Sequence, residues 1–243
     1  MRTADFLKQL FEWLNNNSEY AVLRNFEGLP YSNNSRDIDI AIEKKELIRI
    51  RKHLVELIQQ CGWYIITYLN SDRLVTWVCG AVHKDGSVDL VQLDFFYQTS
   101  IFGIVLLENK EILKCRKFNG QVYHADKGFE FLDKYLYDRA VGAEYPDKYK
   151  ATRMAAENIL YVNEMVARIF EKDSLAACDR ANKKELLKSA LKWNLRRFGL
   201  KTISHCVLFE YYRIKSYLWS PTGFSIGFTG PDGSGKTTVI ELL

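Results

Sequence analysis

The chain has 243 residues, of which 47% are hydrophobic and 26% charged, and its formal net charge is +4. This length allows one large domain or two ordinary ones, and the mild positive charge alone does not indicate a nucleic-acid partner. No run of about 18 apolar residues is present, which excludes the usual transmembrane helix. The five cysteines are scattered without a CxxC pair, and the first residues, MRTADFLKQLFEWL, lack the apolar core of a signal peptide. A reduced, cytoplasmic setting is therefore predicted.

The first half of the chain mixes helical and strand-like patterns. Apolar residues at three- and four-residue steps predict helices over residues 3–16 and 43–60. Five strands are predicted: YAVLRNF at 20–26, RDIDIAI at 36–42, WYIITYL at 63–69, RLVTWVCGAV at 73–82 and SVDLVQLDFF at 87–96. The dipeptide Asp85-Gly86 is typical of a hairpin turn between the last two.

After about residue 126 the pattern becomes helical, and glycine and proline are scarce. Four helices are predicted, at residues 129–140, 149–170, 175–197 and 201–217. Strands with helices followed by a run of helices indicate an α+β fold with a mixed sheet and flanking helices. The predicted organisation is an α+β domain over residues 1–145, a helical extension over 146–219, and the start of a further domain over 220–243.

Paired acids lie on the strand RDIDIAI. Asp37 and Asp39 share one face, about 7 Å apart at their Cα atoms by the rise of a strand, and two such carboxylates suit divalent metal ions. A third carboxylate from a neighbouring strand would complete a two-metal site. In VDLVQLDFF, Asp94 lies among large apolar residues, whereas Asp89 follows the hairpin turn and suits a solvated rim, so Asp94 is predicted as the third acid. The alternative is a strand edge whose acids face water.

The C-terminal stretch FTGPDGSGKTT matches the phosphate-loop pattern GxxxxGK[ST] without a mismatch. The apolar segment 224–229 before it predicts a buried strand, and residues after it suit the start of a helix. Lys236 is predicted to contact the β- and γ-phosphates of ATP or another NTP, and Thr237 to ligate Mg²⁺. The phosphate-binding residues predicted here are Gly230, Asp232, Gly233, Ser234, Gly235, Lys236, Thr237 and Thr238.

The form GPDGSGKTT resembles the phosphate loop of the thymidylate-kinase-like family, over about twenty residues. That resemblance implies a nucleotide or small-molecule kinase domain, in which Asp232 helps position the acceptor nucleotide. The later magnesium-binding aspartate, lid arginines and acceptor pocket of such a kinase do not follow in this sequence. We therefore expect no kinase activity from these 243 residues, and we expect them to be the front part of a longer protein or to end at an artificial boundary.

The order of elements around Asp37, Asp39 and Asp94 resembles the nucleotidyltransferase superfamily, the polymerase-beta-like fold. The wider pattern is similar to bacterial proteins that fuse such a domain to a thymidylate-kinase-like domain, often in surface-polysaccharide gene clusters. The resemblance implies that the three aspartates are catalytic and bind Mg²⁺. One departure is the absence of the family's Gly-Ser after the first strand, where Leu23, Arg24 and Asn25 stand instead.

Two interpretations of Arg24 follow from that departure. Arg24 could hold a phosphate by a bidentate contact, or it could form an ordinary ion pair in a site that no longer binds NTP in the usual way. Arg36, directly before the aspartates, is a second possible phosphate ligand or charge partner.

Two functions are compatible with the sequence. In the first, the N-terminal domain transfers a nucleotidyl group from an NTP to a small-molecule or sugar acceptor. In the second, it is a degenerate binding or regulatory module, and only the complete phosphate-loop domain catalyses ATP-dependent phosphoryl transfer. No recognition motif indicates nucleic acid. The basic, aromatic-rich stretch 183–215 suits either a solvated face that packs on a further domain or peripheral contact with a membrane.

Overall fold

The computed structural model describes residues 2–33, 35 and 37–219. Its largest element is a seven-stranded mixed β-sheet with helices on both faces. The fold is therefore α+β with a mixed sheet, as predicted. Among the described helices, none is both long and apolar enough to cross a membrane. Arg36 and residues 220–243, the predicted start of a further domain with its phosphate loop, lie outside the described residues.

The predicted elements of the first half are present with small changes at their ends. They are α1 (Thr3–Asn17), β1 (Tyr20–Val22), β2 (Asp37–Ile42), α2 (Lys44–Gln60), β3 (Tyr64–Asn70), β4 (Leu74–Val82) and β5 (Val88–Phe96). The first strand is shorter than predicted. Its chain turns away from the sheet where Asn25 adopts a left-handed conformation, with a φ of 56°.

A second group of short elements was not predicted from the sequence. It comprises β6 (Gln98–Ile101), β7 (Ile104–Glu108), α3 (Asn109–Lys114), β8 (Lys117–Phe118) and β9 (Tyr123–His124). Strands β6 and β7 form a separate antiparallel hairpin whose turn contains Phe102 and Gly103, both at positive φ. A side chain at Gly103 would collide with the backbone of Cys206, so this position requires glycine on two grounds.

The C-terminal half is helical, as predicted, but two of the four predicted helices are broken. The helices are α4 (Lys127–Val141), α5 (Lys150–Ala156), α6 (Leu160–Phe170), α7 (Leu175–Arg180), α8 (Lys183–Phe198) and α9 (Lys201–Trp219). Ala181 is extended, and the Asn182 side chain caps α8 by accepting a hydrogen bond from the Glu185 amide. Capping by a short polar side chain thus starts a new helix without glycine or proline.

The strand order of the large sheet is β3-β4-β5-β2-β1-β9-β8. The central strands β2 and β5 run parallel, whereas β2 is antiparallel to β1 and β5 is antiparallel to β4. Asp94 of β5 pairs with Asp39 of β2 on one side and with Thr76 of β4 on the other. These three residues therefore lie side by side across the sheet.

The two faces of the sheet contribute to different hydrophobic cores. On one face, apolar residues of α1 and α2 pack with Ile38, Ile40 and Phe95. On the other face, Ala41 and Phe96 join a core formed by the β6–β7 hairpin and helices of the C-terminal half. Since side chains alternate along a strand, Asp37 and Asp39 of β2 and Asp94 of β5 lie on this second face.

The helical extension shares this second core with α4 of the predicted N-terminal domain. Buried residues of α6 and α8, including Val166, Phe170 and Leu186, belong to the same cluster as Leu132 and Leu136 of α4. Helix α8 is also tied to β7 by a fully buried amide. Asn194 accepts from the Val105 amide at 2.9 Å and donates to the Val105 carbonyl at 2.7 Å.

Candidate functional site

The three predicted acids meet at the centre of the sheet. One carboxylate oxygen from each of Asp37, Asp39 and Asp94 lies within 4.8 Å of the others. Asp39 and Asp94 are buried, with 5% and 7% of their surface exposed, and Asp37 is partly exposed. The cluster is therefore accessible from the side of Asp37.

The alternation of β2 and β5 explains why the acids converge. Ile38 and Ile40 turn towards the α1–α2 core, which directs Asp37 and Asp39 to the opposite face. Asp94 is directed to that face because Phe95 occupies the α1–α2 core. Parallel pairing in register then places Asp94 directly beside Asp39.

Asp89 lies away from this cluster, because residues 89 and 94 point to opposite faces of β5. Its carboxylate accepts a hydrogen bond from the Thr3 amide at 3.1 Å, and its Oδ2 lies 3.1 Å from the Nε2 of His83. The carboxylate of Asp89 is thus occupied at the start of α1, and Asp94 is the acid of β5 that joins Asp37 and Asp39.

Hydrogen bonds from Thr76 on β4, from Gln92 on β5 itself and from Ser35 fix the orientation of two of the acids. Thr76 Oγ1 donates to Asp94 Oδ1 at 2.5 Å, and Gln92 Nε2 donates to Asp94 Oδ2 at 2.9 Å. The Ser35 hydroxyl donates to Asp37 Oδ1 at 2.7 Å. An ionised carboxylate has about four lone-pair positions, so each acid retains oxygen lone pairs for a further ligand.

Arg24 links the acid cluster to helix α4. Its Nε lies 2.8 Å from Asp39 Oδ2, and its Nη1 lies 2.8 Å from Asp133 Oδ2. The Thr99 hydroxyl of β6 donates a short hydrogen bond to the other oxygen of Asp133. The ion-pair interpretation of Arg24 is thus the interaction seen in the structure, and a phosphate contact by the same side chain stays a prediction.

Asp133 and Thr99 are site residues that the sequence pattern did not predict. Asp133 stands four residues after Phe129 on the buried stripe of α4, so an acid on an apolar helix face was the signal that could have found it. Its partner cannot be read from local spacing, since Arg24 and Asp133 are 109 positions apart.

The buried acids influence the protonation of Asp39. Burial raises its pKa, the Arg24 guanidinium lowers it, and the carboxylates of Asp37, Asp133 and Asp94 raise it further, so that the pKa is about 6. A carboxylate that is costly to ionise in this position is stabilised in its charged form by a nearby cation.

The donor set fits a hard divalent cation such as Mg²⁺. Three carboxylates, two of them buried, offer only oxygen ligands, and oxygen is the donor that Mg²⁺ prefers. Asp37, Asp39 and Asp94 are therefore the residues that would hold the ion. Thr237, the fourth predicted metal ligand, lies outside the described residues together with Lys236.

A cavity of about 190 Å³ adjoins the cluster on the side of Arg24. Its wall includes Arg24, Arg73, Phe96, Thr99, Asp133 and Tyr137. The cavity is smaller than the roughly 300–1,000 Å³ that small-molecule sites usually occupy, so it suits a small group rather than a whole nucleotide.

Comparison of the chain with protein-family models, with curated proteins and with solved structures gives no match. The features of the molecule that bear on its function are accordingly the acid cluster, its hydrogen-bonding partners and the adjoining cavities.

Proposed function

We propose that the N-terminal domain is a Mg²⁺-dependent nucleotidyltransferase, which transfers a nucleotidyl group from an NTP to a small-molecule or sugar acceptor. The observation that carries this proposal is the convergence of Asp37, Asp39 and Asp94 within 4.8 Å on two adjacent parallel strands. The polymerase-beta-like fold is part of the same proposal, supported by the order of elements around these acids.

The reaction forms a bond between an acceptor oxygen and the α-phosphorus of the NTP. The bond from that phosphorus to its bridging oxygen breaks, pyrophosphate leaves, and the acceptor proton passes to a base. Bound Mg²⁺ would supply stabilisation of negative charge on the phosphates and on the leaving pyrophosphate.

The residues of this chain contribute orientation and charge to that reaction. Asp37, the partly exposed member of the cluster, faces the incoming ligand, and Asp39 is held by Arg24. Asp94 serves as a metal ligand or as the base. Its two fixed hydrogen bonds, from Thr76 and Gln92, set the direction of its remaining lone pairs.

One observation favours the second candidate function, a degenerate binding or regulatory module. The Arg24 guanidinium already lies against Asp39 and supplies positive charge at the place where a metal ion would act. Together with the missing Gly-Ser, this arrangement suits a fold that has kept its buried acids for stability. Catalysis would then belong to the phosphate-loop domain, with Lys236 and Thr237 acting in ATP-dependent phosphoryl transfer.

Asp94 and Asp89, which lie on the same strand but on opposite faces, allow a test of metal binding by the acid cluster. We would titrate Mn²⁺, as a paramagnetic substitute for Mg²⁺, into the Lys236→Ala chain and into the same chain carrying Asp94→Asn or Asp89→Asn. The Lys236→Ala background weakens metal–nucleotide binding at the phosphate loop. Pyrophosphate release from each NTP in the presence of sugar and sugar-phosphate acceptors is the second readout.

For a nucleotidyltransferase, Asp94→Asn weakens Mn²⁺ binding by more than about tenfold, a loss that even partners of metal ligands produce. Asp89→Asn, on the opposite face, leaves it unchanged. Pyrophosphate release also depends on Asp94. Equal Mn²⁺ binding by both variants, or no binding by the parent chain, would support the binding module instead.

A further inference from the structure

We propose that Arg73 forms an anion site for a phosphoryl group. Arg73 lines two cavities near the acid cluster of Asp37, Asp39 and Asp94. The inference rests on the proposed function only for the identity of the ligand, a phosphorylated small molecule. The anion site itself follows from the geometry and charge around Arg73.

The backbone of Arg73 is fixed on both sides. It lies at the turn between β3 and β4, where the Ser71 amide donates to the Leu74 carbonyl at 2.9 Å. The Arg73 carbonyl accepts a hydrogen bond from the Tyr97 amide at 2.7 Å. The side chain therefore starts from a well-defined position at the edge of the candidate site.

Two aromatic rings hold the guanidinium of Arg73. It lies 4.6 Å from the centroid of the Tyr137 ring and 5.7 Å from that of Phe96. Contacts with ring faces orient a guanidinium but do not neutralise its charge. Its N–H groups remain available to an anion.

Arg73 differs in this respect from the other cations of the small cavity. Arg24 is paired with Asp39 and Asp133, and Lys134 is paired with Asp138 at 2.7 Å. The Arg73 guanidinium makes no ion pair or hydrogen bond with any of the described residues, although the carboxylate of Asp72 is near enough to interact with it electrostatically. Among the three cations that line the small cavity, Arg73 is thus the one whose charge the described side chains compensate least.

The position of Arg73 relative to the acids suits a phosphoryl group. Phe96, beneath its guanidinium, lies two residues from Asp94 on the same face of β5, about 7 Å along the strand. A phosphoryl group in the 190 Å³ cavity would therefore contact Arg73 and be separated from Asp39 by the Arg24 side chain, which lines the same cavity. An arginine fork is well suited to phosphate oxygens because it donates two parallel hydrogen bonds.

Arg73 also lines a second cavity, of about 600 Å³, between the β3–β4 turn and α9. The wall of this cavity includes Tyr68, Thr76, Tyr212 and Lys215. Thr76 connects it to the acid cluster through its hydrogen bond to Asp94. The volume lies within the usual range of small-molecule sites, and its tyrosine rings suit stacking with a sugar or a base. The organic part of the ligand is assigned to this cavity.

The experiment measures binding of inorganic phosphate and inorganic pyrophosphate by calorimetry, in the Lys236→Ala background so that the phosphate loop contributes little. The variants are Arg73→Gln, Arg73→Lys and the control Arg116→Gln. Arg116 is a matched control because its guanidinium lies 4.5 Å from the ring of Tyr123, which belongs to the other end of the sheet. Thermal unfolding of each variant confirms that it is folded.

We expect Arg73→Gln to weaken binding by about tenfold or more, as the loss of a charge-assisted contact predicts. Arg73→Lys should retain part of the affinity, and Arg116→Gln should bind as the parent does. Absence of anion binding in the parent, or equal binding by Arg73→Gln and Arg116→Gln, would overturn the proposal.

Repeating these measurements with and without Mg²⁺ distinguishes the two possible sources of the phosphoryl group, an NTP and a phosphorylated acceptor. It also distinguishes failure of the anion-site proposal from failure of the nucleotidyltransferase proposal. Binding of pyrophosphate that requires Mg²⁺ and is lost in Asp39→Asn assigns Arg73 to the phosphates of the NTP. Binding of phosphate that depends on Arg73 but not on Mg²⁺ or Asp39 assigns it to a phosphorylated acceptor. If Mn²⁺ does not bind at all and Arg73-dependent phosphate binding persists, the nucleotidyltransferase proposal fails and the anion site stands.

Discussion

Arg24 compensates two buried carboxylates with one guanidinium. Only 16% of its side chain is exposed, and the side chains of Asp39 and Asp133 are 6% and 7% exposed. Burial lowers the pKa of Arg24, but the carboxylates of Asp133 and Asp39 raise it by more, so the group stays charged. Asp39 of the candidate site and Asp133 of helix α4 therefore share one positive charge, that of Arg24.

Replacing Arg24 with Ala should leave both carboxylates buried without that partner. Removal of one member of a buried ion pair usually costs about 3–5 kcal/mol, so we expect a loss of unfolding free energy of this size in urea titrations. Arg2→Ala is the control, since Arg2 pairs with Asp85 where more than half of both side chains is exposed. Its expected cost is about 0–1 kcal/mol. Similar losses for both variants would show that Arg24 has no special structural role.

Among the secondary-structure elements, β2 and β5 determine the site, and they were also among the clearest in the sequence. Strict alternation in DIDIAI and an acid within LVQLDFF allowed the acids Asp37, Asp39 and Asp94 to be predicted as a group. Strands β8 and β9 have two residues each, too few to show a period. The breaks after α5 and α7 were missed because neither contains the glycine or proline that marks helix ends most visibly.

The side chain of Asn194 joins helix α8 to strand β7, and a substitution at this position tests how much that contact contributes. Asn194→Ala leaves the Val105 amide and carbonyl buried without this partner, and each such group costs about 1–3 kcal/mol. We expect a lower unfolding midpoint in urea and faster hydrogen exchange at the Val105 amide.

The matched control for that change is Asn163→Ala. The Asn163 side chain also bonds to a backbone carbonyl, that of Glu157 at 2.8 Å, but this bond is exposed to solvent. Its loss should change stability little. Unaltered exchange at Val105 in Asn194→Ala would contradict a role for Asn194 in holding α8 on the hairpin.

For the molecule as a whole, the shared core decides how far the predicted domains are independent. The buried residues of α6 and α8 complete the hydrophobic cluster that contains α4 and the β6–β7 hairpin. Helix α9 is different, because many of its apolar residues are exposed, among them Val207 at 62% and Tyr217 at 82%. The helical extension therefore contains a part that the N-terminal domain needs and a part that contributes less to its core.

Two truncations test this division. A chain ending at residue 145 exposes Leu132, Leu136 and their neighbours on α4, which are fully buried in the structure. We expect it to bind a hydrophobic dye, to associate in size-exclusion chromatography and to lose cooperative thermal unfolding, because exposed apolar surface of this kind favours aggregation. A chain ending at residue 200 keeps α6 and α8 and should unfold cooperatively. A stable monomer of residues 1–145 would instead mean that the α+β domain folds without the helices that cover it.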